Sequence, residues 1–137
     1  MLYGGQVRGR SLESAGMTTP STQAEHHHRI DYLELPATDL PEIKRFYGAV
    51  FGWRFEDYGP DYASFHDGRL AGGFTTDLPR AAGGALVVLY SRDLEATLAR
   101  VREAGGRIVR DVFSFPGGRR FHFADPSGNE LAVWTEP

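Results

Sequence analysis

Glu34 and Tyr32 are the pair in this chain whose type and spacing could do chemistry. Glu34 interrupts an otherwise apolar run, and Tyr32 precedes it by two positions. In an extended strand such residues share a face, so the carboxylate and the phenol would stand side by side. If that face is buried, Glu34 must be paired or protonated, and burial would bring its pKa toward the range of a general acid or base near neutrality. The structural alternative is an ion pair with Arg69, Arg119 or another arginine, or bonds to backbone amides. Glu130 directly follows a turn and is expected at a solvated rim. His66 and His122 each precede a turn and alternate with phenylalanines, which points them away from the core and reads as hydrogen-bonded surface imidazoles. No Ser-His-Asp set or phosphate-cradling glycine loop accompanies them. The histidines at 26–28 sit in a polar stretch without the fixed geometry of a designed metal site.

Composition bounds what such chemistry could serve. With 137 residues, 41% hydrophobic and 12% aromatic, the chain can bury the core of one domain. A formal charge of −3 and a pI near 5.9, with arginines scattered among acids, give no basic field for nucleic acid. The absence of cysteine removes disulfides, thiolate zinc sites and cysteine nucleophiles. It also permits a reducing compartment, so a cytoplasmic location is expected. No apolar run approaches the roughly 18 residues of a membrane span, and the first residues lack the apolar centre of a signal peptide. No membrane partner is expected.

The elements that must position these residues follow from periodicity. Residues 1–28 are polar and aperiodic and are expected to form a disordered tail, with residues 1–16 deriving from an upstream start or an added segment. A single domain is expected over 29–137. A strand runs from Ile30 to Pro36. Asp39 then offers an N-cap with Glu42 at capping-box spacing, and Leu40, Ile43, Phe46, Tyr47, Val50 and Phe51 recur on one helical face up to Gly52. Three strands follow at Trp53–Tyr58, Tyr62–His66 and Leu70–Phe74. After a linker the order repeats: a strand at Ala85–Ser91, a helix capped by Asp93 and ended at Gly105-Gly106, and strands at Arg107–Phe115, Arg119–Ala124 and Asn129–Thr135. The last two strands are joined by Asp-Pro-Ser-Gly, whose proline cannot donate to a ladder and whose glycine accepts a positive φ. FHDGRLAGGF at 65–74 echoes FHFADPSGNELAVW at 121–134. The chain therefore reads as an α+β duplication, with module one at 29–75 and module two at 85–135.

LELPATDL with FYGAVFGW, DLEATLARVREAGG and FADPSGNELAVW resemble the vicinal oxygen chelate superfamily, which includes glyoxalases, bleomycin resistance proteins and extradiol dioxygenases. The resemblance covers Ile30 to Trp134. It implies two paired βαβββ modules forming an open eight-stranded, barrel-like cleft, usually assembled as a homodimer.

Metal-dependent members place a ligand near the start of each module and another on each module's last strand. Carried over, those positions fall on Tyr32, Val87, Gly72 and Ala132. Three of the four have no donor side chain and a neutral tyrosine is a poor one, so neither a metal nor another cofactor is expected. Strand parity is read as turning Tyr32, Glu34, Gly72, Phe74, Val87, Leu89, Glu130, Ala132 and Trp134 into the cleft as a ligand-binding lining. The expectation is a metal-independent protein that binds a small, largely apolar or aromatic molecule. The alternatives are a cofactor-free lyase or isomerase using Glu34 and Tyr32 and, ranked below it, a metal-dependent glyoxalase-type or dioxygenase-type enzyme.

Overall fold

The computed structural model describes residues 23–28, 30–78 and 84–137. Module one consists of β1 (Tyr32–Pro36), α1 (Leu40–Phe51), β2 (Arg54–Asp57), β3 (Tyr62–His66) and β4 (Ala71–Thr75). Module two repeats the order with β5 (Val87–Tyr90), α2 (Leu94–Glu103), β6 (Arg107–Phe115), β7 (Gly118–Ala124) and β8 (Glu130–Thr135). Each module is a four-stranded sheet, ordered β1-β4-β3-β2 and β5-β8-β7-β6. The first strand of each pairs in parallel with the last, and the other pairs are antiparallel. This is the α+β duplication expected from the sequence, with two open sheets. Residues 1–22 of the expected tail lie outside the described residues, and Ala24–His26 form a turn of 3-10 helix.

Both helices begin on the aspartates that the sequence marks. Asp39 accepts a bond from the Glu42 amide and Asp93 one from the Ala96 amide, each at 3.1 Å, which satisfies a backbone donor that a helix start otherwise leaves bare. Gly52 closes α1 in the left-handed region, at φ 73°. The apolar stripe of α1 buries Leu40, Ile43, Phe46 and Tyr47. Tyr47 stacks on Trp53 with ring centroids 4.6 Å apart and lies 5.2 Å from Phe74, while Phe46 and Phe51 reach Phe123 of the second sheet. One aromatic layer thus spans both modules. The extra length of module two goes into β6 and β7, where register shifts between Ile108 and Arg110 and between Arg110 and Phe113 bend the ladder.

The β7–β8 turn fastens the modules together. Asp125 Oδ1 accepts the amides of Ser127 and Asn129, folding the turn on itself, and Gly128 takes φ 89°. Asp125 Oδ2 accepts the Tyr47 hydroxyl of α1 at 2.9 Å and the Asn129 side-chain amide. Asn129 also donates to the Pro36 carbonyl at 2.8 Å, and Ser127 Oγ accepts the Thr38 amide. Burial raises the Asp125 pKa above the ordinary carboxylate value, against the pull of bonds from Asn129, Tyr47 and Ser127. Its folded pKa exceeds its unfolded one, so the stability linked to its proton is fully present below the unfolded value and is lost as pH rises through the folded value. Above that point the buried carboxylate depends on its donors. Tyr47→Phe should therefore cost about 1–3 kcal/mol at neutral pH. Urea titrations of the two proteins should show that difference shrinking as pH falls through the folded pKa of Asp125. An equal difference at every pH would contradict this role.

Candidate functional site

Register fixes which side chains share a face. Leu33, Gly72 and Phe65 are partnered across β1, β4 and β3, as are Leu35, Phe74 and Ala63, and this face packs on the helices. In module two the same side carries Val87, Leu89, Phe121, Phe123, Leu131 and Val133. The opposite, open faces carry Tyr32, Glu34, Tyr62, Ser64 and Gly73 in the first sheet and Val88, Tyr90, Arg120, His122, Glu130, Ala132 and Trp134 in the second.

Gly72 and Phe74 of the expected cleft lining are corrected by this register, and Val87 and Leu89 turn to the other side of their sheet. Gly72 and Phe74 face the helices, not the cleft. A Cβ on Gly72 would collide with the Phe65 ring, and Phe74 is fully buried against Tyr47. Val87 and Leu89 lie on the side opposite Ala132 and Trp134. The cleft-facing neighbours are Ala71, Gly73, Val88 and Tyr90 instead. The small size of Gly72 therefore serves core packing rather than an enlarged cleft.

On the first sheet the two expected catalytic residues meet through a third. Tyr62 donates to Glu34 Oε2 at 2.8 Å and its hydroxyl lies 2.6 Å from that of Tyr32. Glu34 is exposed, so its partner is a phenol in a hydrated setting rather than an arginine in the core. The Tyr62 phenol is pushed far above its ordinary pKa, by burial first and then by its bonds to Tyr32 and Glu34, and stays a donor throughout the physiological range. Its ring lies across Gly73, where a Cβ would collide with it. Gly73 is paired with Ser64 and Glu34, and Tyr62 reaches it diagonally from its place opposite Thr75.

Where β1 and β5 part, a cavity of about 860 Å³ opens between the modules. Leu33 and Leu35 line one side, Val87 and Leu89 the other, and Phe51, Trp53 and Phe65 also contribute. Val87 and Leu89 thus belong to a cavity wall after all, because β5 is an edge strand and its core side is open at the junction. His66, which accepts the Gly68 amide on Nδ1, stands at this cavity, as does His26. Trp134 and Val88 line it too, and they line a second hollow of about 370 Å³ on the open face of module two, with Phe115, Gly117 and Arg120.

That open face holds a further polar pair. His122 Nδ1 lies 2.9 Å from Glu130 Oε2, and Glu130 is exposed, as a rim position should be. His122 points away from the helices as expected but is only 8% exposed, which corrects its reading as a surface residue. Phe113 sits beside it at 5.8 Å and shields its ring.

The sequence profile of the Glyoxalase/Bleomycin resistance protein/Dioxygenase superfamily matches residues 29–133. The chain belongs to this superfamily. A glyoxylase-like domain-containing protein of Didymella fabae is 32% identical over 130 residues, covering 81% of this chain and 96% of its own length. Among solved structures, a glyoxalase-related enzyme from Fulvimarina pelagi superposes with a TM-score of 0.68 at 22% identity, covering 80% of this chain and 89% of that one. TnmS3, an antibiotic binding protein from Streptomyces sp. CB03234, gives 0.64 at 21%, covering 88% of this chain and all of its own. These two likenesses establish the fold.

The metal of this superfamily's chelating members was tested against the cleft-facing residues. Parallel pairing sets Tyr32 beside Ala71, Glu34 beside Gly73 and Val88 beside Ala132, so none of these pairs supplies two good donors, and His122 and Glu130, a pair that does, are bonded to each other. Among the described residues no three histidine, cysteine or acidic side chains gather closely enough to hold an ion. The described residues therefore offer no set of three donors that fits a divalent metal. No helix of the described residues is long and apolar enough to cross a membrane.

Gly73→Ala tests the tyrosine chain. The added methyl should swing Tyr62 off Glu34 and let its phenol ionise nearer the ordinary range, read as added absorbance near 295 nm on alkaline titration. An unchanged titration would contradict the close approach.

Proposed function

We propose that this superfamily member is a metal-independent binding protein for a small, largely apolar or aromatic organic molecule, held at the module junction. The observation that carries the reading is the junction cavity. Its volume falls within the ordinary range of small-molecule sites, and aliphatic and aromatic side chains from both modules form much of its wall, with Asp31, His66, Asp67 and Arg69 also lining it. The antibiotic-binding role of TnmS3, on the same fold, supports it. So does the lack, among the described residues, of a set of three donors for a catalytic metal.

Calorimetric titration of the full chain with a panel of neutral two-ring and three-ring aromatics, 2-naphthol among them, tests the proposal. Saturable binding is expected, unchanged after dialysis against a chelator. Val87→Phe, which puts a larger ring into the cavity wall, should weaken it by about tenfold or more while the melting transition persists. Absence of saturable binding across the panel, or binding that needs an added divalent cation, would contradict the proposal.

A further inference from the structure

Two arginines belong to the open face of module two: Arg110, paired with His122, is exposed and lies 3.7 Å over the Phe113 ring, whereas Arg120 is half-buried. Glu130 is committed to His122, and Glu136 accepts the Tyr90 hydroxyl at 2.7 and 2.8 Å. Arg119, one position away but facing α2, is bonded to Glu95. The Arg120 side chain makes no hydrogen bond or ion pair with any described residue, and its Nε is buried with no partner. Its guanidinium lies 5.4 Å from the centroid of the Phe113 ring and 5.5 Å from that of Phe115. Aromatic faces partly offset the loss of water around a cation, but they accept no hydrogen bond in the plane of the fork. A half-dry guanidinium with an orphaned donor attracts an anion more strongly than one on an open surface does.

The place where such an anion would sit is formed. Arg120 contributes to the 370 Å³ hollow together with Trp134, Phe115 and Val88, and Trp134 and Val88 continue into the junction cavity. Trp134 packs edge-on against Phe115 at 6.4 Å and against Tyr90 at 5.3 Å, which fixes its ring. We infer that the ligand of this protein is an aromatic acid or other flat organic anion, its ring system against Trp134 and its carboxylate or equivalent acidic group on Arg120. The inference rests on the proposed binding function and specifies its ligand class. A carboxylate suits the guanidinium because two parallel N–H groups meet two oxygens, and a neutral amide of the same shape offers only one acceptor.

The matched probes 2-naphthoate and 2-naphthamide, titrated calorimetrically into the full chain, separate this inference from the reading beneath it. Wild-type protein should bind the acid about tenfold to a hundredfold more tightly than the amide. Arg120→Gln should remove that preference, because it weakens the acid more than the amide. Arg120→Lys should keep part of it, and Arg119→Gln, on the opposite face, should keep all of it. Raising the salt concentration should weaken the acid alone, a wild-type measurement that stands even where a variant folds poorly. Equal affinities for the two probes in wild type would overturn the inference and leave the binding function intact. A preference that survives Arg120→Gln would overturn the assignment to Arg120. Binding of neither probe would overturn both readings together.

Discussion

The carboxylate of Asp125 is where the two halves of this protein become one structure. It lies in the turn between the last two strands of module two, yet it receives its buried hydroxyl bond from Tyr47, in the helix of module one. Asn129 and Ser127, held by the same turn, reach across to the Pro36 carbonyl and the Thr38 amide, at the end of β1. A buried acid is costly unless each oxygen is bonded, and here both oxygens accept twice. The geometry that satisfies it therefore also fixes β1 and α1 relative to the β7–β8 turn. The aromatic layer of Phe46, Phe51 and Phe123 adds apolar contact to that directional link.

The cavity between β1 and β5 follows from this arrangement. The modules are joined through a turn and a helix rather than by pairing their first strands, so these edges stay apart and leave Leu33, Leu35, Val87 and Leu89 around a space. The open faces then differ in kind. Module one presents a chain of hydroxyls ending in an exposed carboxylate. Module two presents rings, an arginine between two of them, and a histidine bonded to its acid. Their difference gives a duplicated scaffold one face of hydroxyls and one of rings.

Much of the fold was legible in the sequence because its signals are local. Asp39 and Asp93 cap helices, Gly52 ends one, and Asp-Pro-Ser-Gly makes a turn, each for reasons contained in a few residues. The lining was less legible. Gly72 and Phe74 lie in AGGFT, a strand buried at every position, and Val87 and Leu89 lie in VVLY, which has no polar residue until its terminal tyrosine. Without alternation there is nothing to set parity, and a slip of one residue moves a side chain to the other face. Glu34 and Tyr32 read as sharing a face because polar and apolar residues alternate in YLEL, and the register places both on the open side of β1. Tyr62 and Arg120 escaped notice since their settings depend on cross-strand partners: a glycine beneath one, two phenylalanines beside the other. The sequence carries the types, and only pairing brings them together.

The central claim is that the junction between modules is where the ligand lies. The chain has two tryptophans, Trp53 and Trp134, and both line that cavity. Amide and indole NMR spectra of the full chain, recorded as 2-naphthol is added, test the claim most directly. The account predicts that both indole signals move together with the amides of Leu33, Leu35 and Val87–Tyr90. Shifts confined to Tyr32, Glu34 and Tyr62, with both indoles unmoved, would contradict it.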